Sequence, residues 1–177
     1  MMQDLVKYIR LFSQHGRLVT LPQVVAVIGQ SDDEEETEDV VGQYIQLVLA
    51  PEYADICMRQ SADEYYFFSR KHIVESYANR WLAIRRGEVL QTLVNQVRDF
   101  SCRHKAVVEE IVLRSKPYEL DNESQQALRE QLDADPECCD IAYAINAKGE
   151  GYYYSTRGLT ARYAKVLANY DPYEWSC

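Results

Sequence analysis

Residues 5–13 read Leu-Val-Lys-Tyr-Ile-Arg-Leu-Phe-Ser, and residues 93–101 repeat the pattern as Leu-Val-Asn-Gln-Val-Arg-Asp-Phe-Ser. The apolar positions, the arginine and the Phe-Ser pair coincide in the two stretches. Three further matches follow in the same order along the chain: residues 24, 25 and 28 with 107, 108 and 111, residues 51–56 with 136–141, and residues 65–67 with 152–154. Four matches in one order predict that the chain is a duplication of a single small unit.

The first copy has the periodicity of three helices and a hairpin. Apolar residues recur at helical spacing over residues 5–12, and Gly16 ends this helix. The β-prone stretch 17–20 comes next, followed by a helix that Pro22 opens. A third helix is predicted over residues 40–48. The polar residues 60–63 separate two β-prone runs, 55–59 and 64–68, which predict a hairpin.

The second copy follows the same plan. Its helices are predicted over residues 88–102 and 106–113 and from residue 122 onward, and its hairpin joins 140–146 to 151–155. An apolar stripe at helical spacing over residues 74–84 predicts a helix between the copies. A further short helix is predicted over residues 159–170.

The order helix, short strand, helix, helix, hairpin resembles that of the winged helix-turn-helix superfamily. The resemblance implies a mainly α fold with small β-hairpins (α+β), made of two tandem winged-helix domains joined by a helix. The expected division is a first domain at 1–70, a connecting helix at 71–87, a second domain at 88–158, and a C-terminal helix and tail at 159–177.

No pattern in the sequence carries enzyme chemistry. A nucleotide-binding loop, a nucleophile elbow and metal-ligand spacing are all missing, and the three histidines lie in separate segments. The five cysteines form no Cys-x-x-Cys pair, so we expect reduced thiols. We therefore predict no catalytic residue, no metal and no cofactor. Because the sequence lacks a long apolar run and a secretory signal, the expected location is cytoplasmic, with no membrane partner.

The charge distribution argues against ordinary DNA reading. The chain has a formal net charge of −9, and residues 18–58, which cover the second and third predicted helices of the first copy, contain no lysine or arginine. In the third helix of the second copy, Arg129 stands among acidic residues. A helix that enters the major groove must approach phosphates, which both of these predicted helices would repel.

Tandem winged-helix proteins of acidic character include accessory subunits of bacterial condensin-like complexes. The resemblance therefore implies a non-catalytic adaptor that binds another protein or a second copy of itself. Adjacent tyrosines in a hairpin alternate between its faces, so at least one of each pair should be exposed for binding. The interaction candidates are Tyr65, Tyr66, Tyr152, Tyr153, Trp81, Asp32, Asp33, Glu34, Glu35 and Glu36.

Two alternatives remain open at this point. A DNA-binding regulator could contact the phosphate backbone through basic residues away from the usual recognition helices. Its candidates are Arg70, Lys71, Arg80, Arg85 and Arg86. A small-molecule sensor, the less favoured alternative, would hold its ligand between the copies, beside Trp81.

Overall fold

The structure, a computed structural model, describes residues 2–28, 42, 45–46 and 50–170. The chain divides into two compact units, Met1–Leu82 and Ala83–Cys177. Helices predominate in each, and each contains one three-stranded antiparallel sheet. The predicted α+β class is thereby confirmed. No helix among the described residues is long and apolar enough to cross a bilayer.

The first unit begins with helix α1 (Met2–Gln14), strand β1 (Val19–Thr20) and helix α2 (Leu21–Ile28). Of the predicted third helix, Gly42, Ile45 and Gln46 are helical, and its other residues lie outside the described part of the chain. A 3₁₀ turn precedes strands β2 (Ile56–Ser61) and β3 (Glu64–Ser69), and helix α3 (Glu75–Arg85) follows. The hairpin and α3 confirm the elements that the hydrophobic periodicity predicts.

The second unit repeats this order. Helix α4 (Val89–Asp99) continues into a π-helical turn, Phe100–His104, before strand β4 (Val108–Glu109). Helix α5 (Asn122–Ala134) starts at Asp121, whose side chain accepts from the Ser124 amide at 2.8 Å. Strands β5 (Ile141–Ile145) and β6 (Gly151–Ser155) form the hairpin, and helix α6 (Ala161–Ala168) closes the unit.

The predicted helix over residues 106–113 is wrong. That stretch forms β4 and a 3₁₀ turn, Glu110–Arg114. Val108 pairs with Tyr153 and Glu109 with Tyr152, as Val19 and Thr20 pair with the first hairpin. A short apolar run satisfies helical and strand patterns alike, and here pairing with β6 decides the outcome.

Both sheets have the same strand order, β1-β3-β2 and β4-β6-β5, so the first strand pairs with the far strand of the hairpin. Ser69 pairs with Ile56, and Ser155 with Ile141. This register makes Tyr66, not Tyr65, the counterpart of Tyr152. The sequence match of residues 65–67 with 152–154 is therefore out by one residue, which moves each side chain to the opposite face of the sheet.

The last helix of each unit belongs to the repeat. Ala78 on α3 and Ala164 on α6 are both fully buried against the hairpin of their own unit. Ala78 lies in one buried cluster with Tyr66 and Phe68, and Ala164 lies in one with Tyr152 and Tyr154. Most of the segment expected to connect the copies is thus helix α3, which packs on the first hairpin. Residues 159–168 take the same place in the second unit.

Candidate functional site

An Arg–Asp–Ser cluster ties the first helix of the second unit to its hairpin. Arg98 Nε donates to Asp140 Oδ2 at 3.1 Å, and the Ser155 hydroxyl donates to the same oxygen at 2.7 Å. The Ser155 amide donates to Ser101 Oγ at 2.9 Å. The hydrogen bond from Arg98 and that from Ser155 outweigh burial and lower the pKa of Asp140 to about 2. A carboxylate held this firmly in its charged form is suited to structural support, not to proton transfer.

The first unit has the same cluster. Arg10 Nε donates to Asp55 Oδ2 at 3.0 Å, the Ser69 hydroxyl donates to it at 2.6 Å, and the Ser69 amide donates to Ser13 Oγ at 2.9 Å. Arg10 holds the pKa of Asp55 well below its usual range. The sequence repeat had matched the arginine, the aspartate and the helix serine. It missed the hairpin serine, although a serine follows Phe68 and Tyr154 alike.

The tyrosines proposed as an interaction surface are mostly inside the protein. Tyr66, Tyr152 and Tyr153 are buried, and Tyr65 is half-buried. The expectation of one exposed tyrosine in each pair is wrong for the second hairpin, because β6 is the central strand of its sheet and both of its faces are covered. Tyr153 packs into the core formed with α4 and α5, whereas Tyr152 packs with residues of α6.

Trp81 is also buried. Its ring meets that of Tyr66 edge-on, with the centroids 5.6 Å apart, in an apolar cluster of the first unit. It therefore packs into a core and lines no accessible surface. The remaining interaction candidates, residues 32–36, lie outside the described part of the chain.

Lys71 and Arg86, two basic residues of the DNA alternative, lie in ion pairs. Lys71 Nζ is 3.8 Å from Asp55 Oδ1, and Arg86 Nε is 2.7 Å from Glu88 Oε1. Arg80 is half-buried, while Arg70 and Arg85 are exposed. The set is divided between the units, since Arg70, Lys71 and Arg80 precede the boundary and Arg85 and Arg86 follow it.

The second unit contains a surface groove of about 360 Å³, at the end of β4 and the start of β6. Three glutamates and one arginine contribute its charged side chains. The lining residues are Glu109, Glu110, Ile111, Arg114, Gly149, Glu150 and Gly151. Among the described residues, none of the interaction or DNA-contact candidates predicted from the sequence lines this groove.

A polar cluster adjoins the groove at Glu110, which is one of the lining residues. Arg129 on α5 pairs with Glu110, and the Tyr143 hydroxyl donates to Glu110 Oε2 at 3.0 Å. The Arg129 guanidinium lies over the Tyr143 ring, 5.2 Å from its centroid. Tyr153 lies beneath, and burial raises its pKa to about 12, with the Glu110 charge adding to the effect. The cluster holds the Tyr143 ring beside Gly151, which lines the groove.

Gly151 makes room for this arrangement. A Cβ at that position would come within 2.3 Å of both Glu110 Oε2 and Tyr143 Oη. In the first unit the positions equivalent by strand register to Glu110, Tyr143 and Tyr153 are Leu21, Met58 and Phe67, which pack in its apolar core. The polar cluster is therefore a feature of the second unit alone within the described residues.

Large apolar side chains are exposed beside the groove. Ile111 is 55% exposed, Tyr143 39% and Ile145 61%. Tyr143 and Ile145 lie on one face of β5, and Ile145 pairs directly with Gly151. Tyr143, Ile145 and the groove residues Glu109, Ile111 and Glu150 will be called the groove surface. Apolar side chains at such exposure cost free energy in water and are typical of interaction sites.

Acidic residues outnumber basic ones around the groove surface, where Arg114 is exposed and also lines the groove. Glu109 and Glu150 are exposed at its rim. On α5 the exposed charged residues are Glu123, Glu130 and Asp133, while Arg129 is engaged by Glu110. In the described residues no group of three or more histidine, cysteine, aspartate or glutamate side chains could hold a metal ion.

Residues 87–176 match the family model of the YdhW C-terminal domain. The chain belongs to the YdhW C-terminal domain family. The matched residues begin close to the boundary between the units, so the groove surface lies within the YdhW C-terminal domain. No curated protein and no solved structure matches the chain.

Proposed function

We propose that this protein is a non-catalytic protein-interaction module built from two winged-helix units. The order of elements supports this architecture, since each unit has a helix and a short strand before a hairpin. The sheet order, in which the first strand pairs with the far hairpin strand, supports it further. Fold alone does not determine function, so the functional argument rests on the surface.

The observation that carries the proposal is the groove surface of the YdhW C-terminal domain. A winged helix that reads DNA turns its third helix and wing toward phosphates and needs lysine or arginine there. In this domain the corresponding elements are α5 and the β5–β6 hairpin. They carry the acidic residues Glu123, Glu130, Asp133 and Glu150 and the exposed apolar residues Tyr143 and Ile145. Their basic residues are Lys148 in the hairpin turn and Arg129, which pairs with Glu110. Such a surface repels a nucleic acid backbone and suits a protein.

A substitution in the groove surface tests the proposal. The full chain should retain a specific partner from its native host, and Ile145→Glu should abolish that retention because it places a charge in the apolar contact. Leu11→Glu is the matched control, since Leu11 is 52% exposed on α1 of the first unit. This control should leave retention unchanged.

The same chain should not shift random duplex DNA in a gel at moderate salt. Duplex binding that weakens steeply with salt and is lost with Arg70→Ala, Arg80→Ala or Arg85→Ala would replace the proposal with the DNA-binding alternative. Partner retention that Ile145→Glu leaves intact would exclude the groove surface as the binding site.

A further inference from the structure

A second apolar surface lies on α6, on the opposite side of the same sheet. Ala164, together with Leu159 just before the helix, packs toward Tyr152 and Tyr154. Three large apolar residues are exposed on this helix and just after it. They are Tyr163, Val166 and Tyr170, which are 47%, 58% and 65% exposed. Tyr163 and Val166 are three residues apart and lie on one side of the helix, and Tyr170 follows the helix end; these three residues are here called the apolar stripe.

The charged residues of α6 itself are positive. Arg162 and Lys165 are exposed, and α6 contains no acidic residue. Neither forms an ion pair with another described residue. Tyr163, Val166, Tyr170, Arg162 and Lys165 will be called the helix surface. It combines apolar contacts with basic residues, as the groove surface combines apolar contacts with acidic ones.

From this complementarity we infer that the groove surface of one copy binds the helix surface of a second copy. Glu109 and Glu150 would face Arg162 and Lys165, while Ile111, Tyr143 and Ile145 would cover the apolar stripe. Each surface alone leaves about three large apolar residues in water, and their contact would bury both sets. The inference rests on the proposed function, because it names the occupant of the same groove.

The contact must join different molecules. Tyr143 and Ile145 share a sheet face with Tyr153, whereas α6 covers the face of Tyr152 and Tyr154. One rigid sheet separates the two surfaces, so a copy cannot fill its own groove with its own helix. Since the surfaces differ, the interface is heterologous, and association continues beyond a dimer unless a ring closes.

Sedimentation equilibrium of the full chain tests this inference. The weight-average mass should rise with protein concentration and fall at high salt, because the interface is partly ionic. The double variant Arg162→Glu/Lys165→Glu and the double variant Glu109→Lys/Glu150→Lys should each raise the dissociation constant at least about tenfold, since each places like charges together. Lys7→Glu/Arg17→Glu, at exposed positions of the first unit, is the matched control and should associate like wild type.

Mixing the two interface variants provides the decisive arm. The acidic helix of one variant complements the basic groove of the other, and their unaltered surfaces also complement each other. An equimolar mixture should therefore regain the association that each variant has lost. A mixture that stays monomeric, or a wild-type chain that is monomeric at every concentration, would overturn the inference. The partner-retention assay with Ile145→Glu decides the proposed function separately, since a foreign protein in the groove requires no self-association.

Discussion

Arg98 and Asp140 connect elements that lie far apart in the sequence of the second unit, α4 and the start of its hairpin. Asp140 is nearly fully buried, and its oxygens receive hydrogen bonds from Arg98 and Ser155. Removal of Arg98 would leave the buried carboxylate with Ser155 and with the exposed Arg157, whose Nη2 is 3.1 Å from Asp140 Oδ1. Loss of the main charged partner of a buried carboxylate costs more than the intact pair contributes. The same three side-chain types hold the first helix to the hairpin in both units.

Arg98→Ala should lower the free energy of unfolding by about 2–3 kcal/mol, because the Asp140 carboxylate then loses its main charged partner. Urea unfolding followed by circular dichroism measures this change. Arg103→Ala provides the comparison, since Arg103 is exposed and pairs with Asp99 only across one helical turn. It should cost less than about 0.5 kcal/mol. Equal effects of the two substitutions would show that the cluster adds nothing beyond a surface ion pair.

The pH dependence of stability follows from the same carboxylates. The folded protein lowers the pKa of Asp140 to about 2, and it lowers that of Asp55 as well. A group whose pKa is depressed on folding stabilises the protein above its unfolded pKa, about 3.9 for aspartate. This stabilisation is lost as the pH falls from about 4 toward 2.

The urea midpoint should therefore decrease steeply over that acidic range and stay nearly constant above pH 5. Asp140→Asn should be less stable at neutral pH and should show a shallower decrease in acid. An unchanged acid slope in this variant would mean that other carboxylates govern acid unfolding.

At the scale of elements, two glycines allow close approaches that differ in kind. A Cβ on Gly158 would lie 2.5 Å from the backbone carbonyl of Ser101 and 2.7 Å from the amide nitrogen of Cys102, within the π-helical turn. A Cβ on Gly151 would meet the ends of two side chains, Glu110 and Tyr143. Side-chain ends can move aside, whereas the backbone of a helical turn cannot without shifting the helix.

Gly158→Ala should thus destabilise the second unit by about 2–3 kcal/mol, and Gly151→Ala by about 1 kcal/mol or less. Thermal unfolding of the two variants ranks them directly. Gly151→Ala should in addition weaken partner retention, since Tyr143 must leave its hydrogen bond to Glu110. The reverse order of stability would mean that the π-helical turn yields more easily than the groove wall.

At the scale of the whole molecule, hydrophobic periodicity was sufficient to predict most helices and both hairpins. α1 and α4 bury residues at helical spacing, and β5–β6 follows its predicted limits closely. The prediction of a second helix in the second copy was wrong, because its short apolar run forms a strand that pairs with β6. Hydrophobic periodicity describes one element at a time, so it does not reveal which other element covers the second face of a sheet. That is why burial of Tyr152 beneath α6 escaped prediction.

The candidate site could not be predicted from the sequence, for a related reason. Glu110, Arg129 and Tyr143 come from three separate elements, and only the packing of the turn after β4 and of α5 against the hairpin brings them to one place. The counterparts of Glu110 and Tyr143 in the first unit, Leu21 and Met58, are apolar, so the repeat itself concealed the cluster. The Arg98–Asp140 pair, by contrast, was visible as a coincidence within the repeat, although its physical reason required the structure.

The second unit has what a domain needs to fold alone. Its main core contains Leu93, Val97, Leu113, Leu128 and Tyr153, all drawn from within the unit, and a second cluster lies beneath α6. The family match to residues 87–176 covers nearly the same stretch.

Residues 83–177 produced separately should therefore unfold in one cooperative transition, with a urea m-value of about 1 kcal/mol/M for this length. A fragment beginning at residue 105 is the control. It lacks α4, and with it Leu93, Val97 and the Arg98 partner of Asp140, so it should show no cooperative transition. Gradual loss of circular dichroism in the longer fragment would mean that the second unit requires the first for its stability.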